Sequence, residues 1–131
     1  MSGKNNGYKG PERRHFVRIP FEAMIRYKVS KLTGGRAGDF QETHTKNIST
    51  SGILVKSREH FSAGTILELE FSVPTEEGYA EIQILGKVMR VVEVPGGEYY
   101  DNGIAFYKIK RKDEKAISNL VDYLEEEDAQ A

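Results

Sequence analysis

The chain is predicted to be mainly β: several short antiparallel strands in a barrel or sandwich, followed by one amphipathic helix at the C-terminal end. Three observations carry this. Apolar and polar residues alternate with period two over long stretches. Clusters of Gly, Pro, Asn and Ser interrupt those stretches at short intervals. Beyond Asp113 the period changes, with Ile117, Leu120, Val121 and Leu124 falling at i, i+3, i+4 and i+7.

Taken in order, residues 1–12 read as a disordered arm, because Gly3, Asn5, Asn6, Gly7, Gly10 and Pro11 resist regular structure. Residues 18–31 form the first strand, with Ile19, Phe21, Ala23, Ile25, Tyr27 and Val29 on one face and Pro20 near its start. Residues 33–38 make a Gly-rich turn, and residues 40–49 return as a mostly polar strand expected at an edge. Ile53, Leu54 and Val55 mark a short third strand, and Ser62-Ala63-Gly64 turns the chain. The next strand carries Ile66, Leu67, Leu69, Phe71 and Val73, with a turn expected over residues 74–78. Residues 80–94 form a long strand in which Gly86 signals a bulge or bend. Pro95-Gly96-Gly97 is a hairpin signal and Asn102-Gly103 a second turn signal, so the last strand is expected over residues 103–109. Asp113 suits the helix N-cap. Glu125, Glu126, Glu127 and Asp128 oppose the helix dipole, so fraying and an acidic tail over residues 126–131 are expected.

At 131 residues the chain suits one domain with a sizeable core. It has no cysteine, which excludes a disulfide framework and thiolate chemistry and suits the cytoplasm. No signal-peptide pattern opens it and no apolar run reaches membrane-spanning length. The net charge of −1 conceals an asymmetry: residues 1–36 hold nine Lys and Arg against two Glu, whereas residues 113–131 hold one Lys against seven Asp and Glu. The basic end favours an anionic partner. A pI near 6.3 argues against a protein that coats nucleic-acid polymers.

Two motifs carry candidate chemistry. Arg14 and Arg18 lie four apart; in an extended chain that is roughly 13 Å, with both side chains on one face. Their guanidinium forks match phosphate oxygens and the N7/O6 edge of guanine. Between two strands lies Asn47-Ile48-Ser49-Thr50-Ser51-Gly52. Asn47 both donates and accepts toward a base edge, Ser49 bonds a phosphate or base, and Gly52 permits a positive φ or a close ligand approach. Either motif alone is also what a solvated basic run or an ordinary turn looks like. No catalytic constellation accompanies them. His15, His44 and His60 stand in separate segments without metal-ligand spacing, and no phosphate-binding Gly-rich loop occurs, so the chain is expected not to be an enzyme.

Together, Arg14-x-x-x-Arg18 and Asn47-x-Ser49-x-x-Gly52, about thirty residues on, resemble the PilZ domain, a family of bacterial cyclic di-GMP receptors. The resemblance extends over about residues 12–125, including Glu12-Arg13 before the first motif and Ile53-Leu54-Val55 after the second. It implies a six-stranded antiparallel β-barrel with a C-terminal helix over residues 13–125. It also implies that Arg14 and Arg18 hold phosphates and guanine Hoogsteen edges, while Asn47, Ser49 and Gly52 hold a guanine and adjacent phosphate. Arg13 beside the motif implies two intercalated ligand molecules per chain. Position 47 is Asn where many members have Asp, which offers one acceptor oxygen instead of two and implies weaker binding.

The resemblance thus implies a receptor that orders its arginine segment on cyclic di-GMP and signals to a protein partner, in motility or exopolysaccharide control. An interaction module that does not bind nucleotide is the alternative; intact Arg14, Arg18, Ser49 and Gly52 favour the receptor. A small-barrel RNA binder is a third reading, disfavoured because no exposed basic-aromatic sheet pattern is present.

Overall fold

A computed structural model describes residues 19–33 and 39–130. Its strands are β1 (Ile19–Val29), β2 (Gln41–Ile48), β3 (Gly52–Ser57), β4 (Ile66–Thr75), β5 (Gly78–Glu93) and β6 (Tyr100–Tyr107). They form a closed antiparallel barrel of six strands in the spatial order β1-β2-β3-β6-β5-β4, with β4 pairing back onto β1. A single turn of 3-10 helix (Lys31–Thr33) follows β1, and α1 (Arg111–Gln130) follows β6.

The period-two pattern becomes the barrel's interior. Ile25 and Tyr27 of β1, Leu67, Leu69, Phe71 and Val73 of β4, and Ile82, Ile84 and Val88 of β5 are all buried. Ile53 and Val55 of β3 and Ile104 of β6 complete the filling. Fully burying each such side chain contributes about 1.5–3 kcal/mol. The helical stripe joins the same core through Ile117, Leu120 and Val121, so α1 lies against β4, β1 and β5.

Several local expectations are overturned by pairing between residues far apart in the chain. The polar strand β2 is not an edge: it pairs with β1 on one side and β3 on the other. Its exposed polar residues face solvent from a closed wall, which tolerates them as readily as an edge does. The strand pairing of β4 and β5 runs through Pro74↔Tyr79 to Thr75↔Gly78, so the turn is shorter than residues 74–78. Gly86 sits in unbroken register with both neighbours, and the irregularity falls between Val88 and Arg90. Gly86 answers a packing need instead, because a Cβ there would stand 2.4 Å from Ile104 Cγ2.

Asn102-Gly103 is not a turn but the middle of β6. Asn102 is fully buried and donates from Nδ2 to Val55 O (2.9 Å) and Ser57 Oγ (2.8 Å), stitching β6 to β3. Asp113 is the third residue of α1 and buried, not its N-cap; the helix starts two residues earlier. The helix continues through Glu125, Glu126 and Glu127 to Gln130. At Pro95-Gly96-Gly97 the hairpin is as expected: Gly96 and Gly97 take positive φ (106° and 71°), and Val94 N donates to Tyr99 O.

Candidate functional site

The candidate site lies where the first described residues of β1 meet the end of β2. Ile19 is the Cα partner of Ile48, and Pro20 that of Asn47. Pro20 lacks an amide donor, which fits the first residues of a strand. Arg13, Arg14 and Arg18 lie outside the described residues. The described chain nonetheless begins at Ile19, directly after Arg18 in sequence, and directly against Asn47-Ile48 in space.

Around Asn47 the β2–β3 register shifts between Thr45 and Ile48. Thr45 Oγ1 donates to Asn47 O at 3.0 Å, fixing the irregularity from within. The Asn47 side chain is half-buried, and its Oδ1 is buried without a hydrogen-bond partner among the described residues. A buried acceptor left unpaired costs about 1–3 kcal/mol. Such an atom calls for a donor that the described residues do not supply.

Ser49 faces inward and is 1% exposed. Its Oγ accepts from Gly52 N (3.1 Å) and Ser51 N (3.3 Å) and donates to Gly52 O (3.3 Å), while Ser49 N donates to Gly52 O at 2.9 Å. The hydroxyl is therefore spent on closing the turn from β2 into β3. Gly52 does not take the positive φ that its turn position allows. Its lack of a side chain serves a close approach of strands: a Cβ would stand 2.3 Å from Ile104 O of β6. Phe106 N donates to Ser51 O at 2.9 Å, so β6 anchors the turn from the other side.

The motif residues thus come together as one rim, but with different tasks. Asn47 carries the unpaired acceptor, whereas Ser49 and Gly52 set the backbone of the turn that follows it. Sequence reading passed over Lys46, the residue before Asn47, and Asp101 of β6, which form an ion pair at 3.9 Å. Asp101 Oδ1 is a second buried acceptor without a partner among the described residues. No sequence signal marked them: a lone lysine in a polar strand and an acid beside an apparent turn are unremarkable. Among the described residues no group of three His, Asp or Glu side chains could hold a metal ion. No helix is long and apolar enough to cross a membrane.

A closed small barrel with a helix on its flank and a polar turn on its rim defines a small β-barrel domain. The chain belongs to the PilZ domain family, whose profile matches residues 12–123. Solved structures show the same fold. The PilZ domain of YcgR with c-di-GMP, from Escherichia coli, matches with TM-score 0.59 at 13% identity, over 90% of this chain and 95% of that one. The MrkH–c-di-GMP complex of K. pneumonia matches with TM-score 0.62 at 20% identity, over 88% of this chain and 54% of MrkH. The Bacillus subtilis inhibitor of motility, MotI/DgrA, matches with TM-score 0.63 at 21% identity, over 86% of this chain and 51% of MotI. The chain therefore spans about half the length of MotI and of MrkH. No curated protein matches it.

Proposed function

We propose that this chain is a receptor for cyclic di-GMP that binds the ligand at the rim formed by Asn47, Ser49 and Gly52 and closes on it with Arg13, Arg14 and Arg18. The observation that carries the reading is the pairing of Ile19 and Pro20, the residues that follow Arg18, with Ile48 and Asn47, whose Oδ1 is an acceptor without a partner among the described residues. Family membership and the c-di-GMP bound by YcgR and MrkH support it.

The ligand is a dianion with two guanines, and each part has a complement here. The arginine forks hold phosphates and Hoogsteen edges through charge-assisted, bidentate bonds. Asn47 Oδ1 accepts from a guanine N1–H or N2–H. Ser49 contributes by holding the turn rather than by touching the ligand, and Gly52 keeps that turn seated against β6. With Arg13 supplying a further fork, two intercalated ligands bind per chain. Binding draws the arginine segment onto the barrel, and the resulting surface of segment, ligand and barrel is read by a protein partner. The setting is the cytoplasm, and the output is control of motility or exopolysaccharide, the former in keeping with a neighbour that is an inhibitor of motility. The role is that of a switch, not a catalyst.

Calorimetric titration with cyclic di-GMP, with cyclic di-AMP and GTP as controls, tests this. Binding is expected for cyclic di-GMP alone, at two per chain, falling toward one in Arg13→Leu. One charge-assisted bond is worth about 1.5–3 kcal/mol, so Arg14→Ala and Arg18→Ala should each weaken binding about ten-fold or more. Absence of binding by the wild type would leave the nucleotide-independent interaction module as the reading.

A further inference from the structure

The outward face of α1 is self-complementary. Lys112, Lys115, Asn119, Tyr123 and Glu126 are all exposed. At about 100° per residue they fall within an arc of roughly 80°, on the side away from the buried Ile117, Leu120 and Val121. Along this stripe the cations occupy the N-terminal half and the anion the C-terminal half, with Asn119 at the midpoint. Reversing the stripe about Asn119 sets Lys112 against Glu126 and Lys115 against Tyr123.

The charge order disfavours the isolated helix. The last turn of α1 contains no basic residue, and Glu125, Glu126 and Glu127 approach the negative end of the helix dipole. Lys110, Arg111 and Lys112 crowd the positive end, where Asp113 and Glu114 offset them only in part. Arg111, Lys112, Lys115 and Glu126 form no ion pair among the described residues. Tyr123 holds a large aromatic ring 55% exposed in the middle of this polar face, its hydroxyl donating to Glu127.

We propose that this face docks onto the same face of a second copy of the chain, with the two α1 helices antiparallel about a two-fold axis through Asn119. Each Lys112 then meets the other copy's Glu126, each Lys115 lies over the other's Tyr123 ring, and the opposed helix dipoles attract. The contact spans about 21 Å of helix. Being polar and small, it makes a weak, salt-sensitive dimer.

Sedimentation of the full chain over a concentration series is the first test. A dimer is expected at 20 mM salt that dissociates by 500 mM. Lys112→Glu should weaken it about ten-fold, since both symmetric pairs turn repulsive, and Lys112→Glu with Glu126→Lys should restore it. The chain contains no cysteine, so Asn119→Cys introduces a single thiol on the proposed axis. Mild oxidation should link Asn119→Cys chains into covalent dimers much faster than it links Glu114→Cys chains, whose thiol sits on another face of α1. A wild type that stays monomeric at low salt, a dimer indifferent to Lys112→Glu, or equal linking of the two cysteine variants would overturn the proposal.

Discussion

Two asparagines in the barrel wall differ in how the fold uses them: one is bonded across a strand seam, the other is the proposed ligand contact. Asn102 on β6 is wholly buried, and its amide binds Val55 O and Ser57 Oγ across the β3–β6 seam. Asn47 on β2 is half-buried at a register irregularity, and its Oδ1 finds no partner among the described residues. Asn102 Oδ1 is likewise without a partner among the described residues, beside the two bonds that its Nδ2 donates. At Asn47 the unpaired acceptor lies at the end of β2, on the residue that pairs with Pro20. The same unmet acceptor thus sits in two settings, one braced by donor bonds across the β3–β6 seam and one at a register irregularity next to β1.

The contrast can be broken most severely at the seam itself. Gly52→Ala places a methyl 2.3 Å from the Ile104 carbonyl, and a rigid backbone atom cannot yield as a side chain can. We expect a loss of about 3 kcal/mol or more in urea unfolding. Asn102→Ala removes two buried hydrogen bonds and should cost about 2–3 kcal/mol, while the folded protein still binds cyclic di-GMP normally. Asn47→Ala inverts that pattern. It removes an unpaired acceptor, so stability should stay within about 1 kcal/mol of the wild type while affinity for cyclic di-GMP falls about ten-fold. If Asn47→Ala destabilised the fold as much as Asn102→Ala does, the two asparagines would not differ as described.

A smaller effect sharpens the view of the interior. Tyr27 is buried, packs edge-on against Phe61, and donates to Glu59 Oε1 at 2.8 Å. Burial and the nearby carboxylate push its ionisation well above the usual tyrosine value of about 10. Its neutral form is favoured in the folded state, so the stabilisation is fully present below about pH 10 and is lost as pH rises beyond it. Thermal unfolding of the wild type should thus fall off more steeply above that pH than that of Tyr27→Phe.

Which of these features could be read from sequence follows from how local their causes are. The alternation in β1, β4 and β5 was legible because one buried face imposes it residue by residue. The stripe on α1 was legible for the same reason. Asn102-Gly103 misled because an Asn-Gly pair has the chemistry of a turn wherever it stands, and only the pairing of Asn102 with Val55 places it inside a strand. The closure that makes β2 an inner member of the wall depends on β4 returning to β1, some forty residues apart in sequence. At the site, Asn47, Ser49 and Gly52 were legible as a group. That Ser49 points into the turn was not, because the direction of a hydroxyl is set by the amides of Ser51 and Gly52 around it.

The measurement that bears most directly on the central claim is amide hydrogen exchange with and without saturating cyclic di-GMP. Residues 47–53 and 10–18 should gain protection together, while residues 100–104 around Asn102 and the body of α1 should change little. Ligand-induced protection centred elsewhere on the barrel, or saturation without any change at residues 47–53, would contradict the assignment of the rim at Asn47 as the binding site.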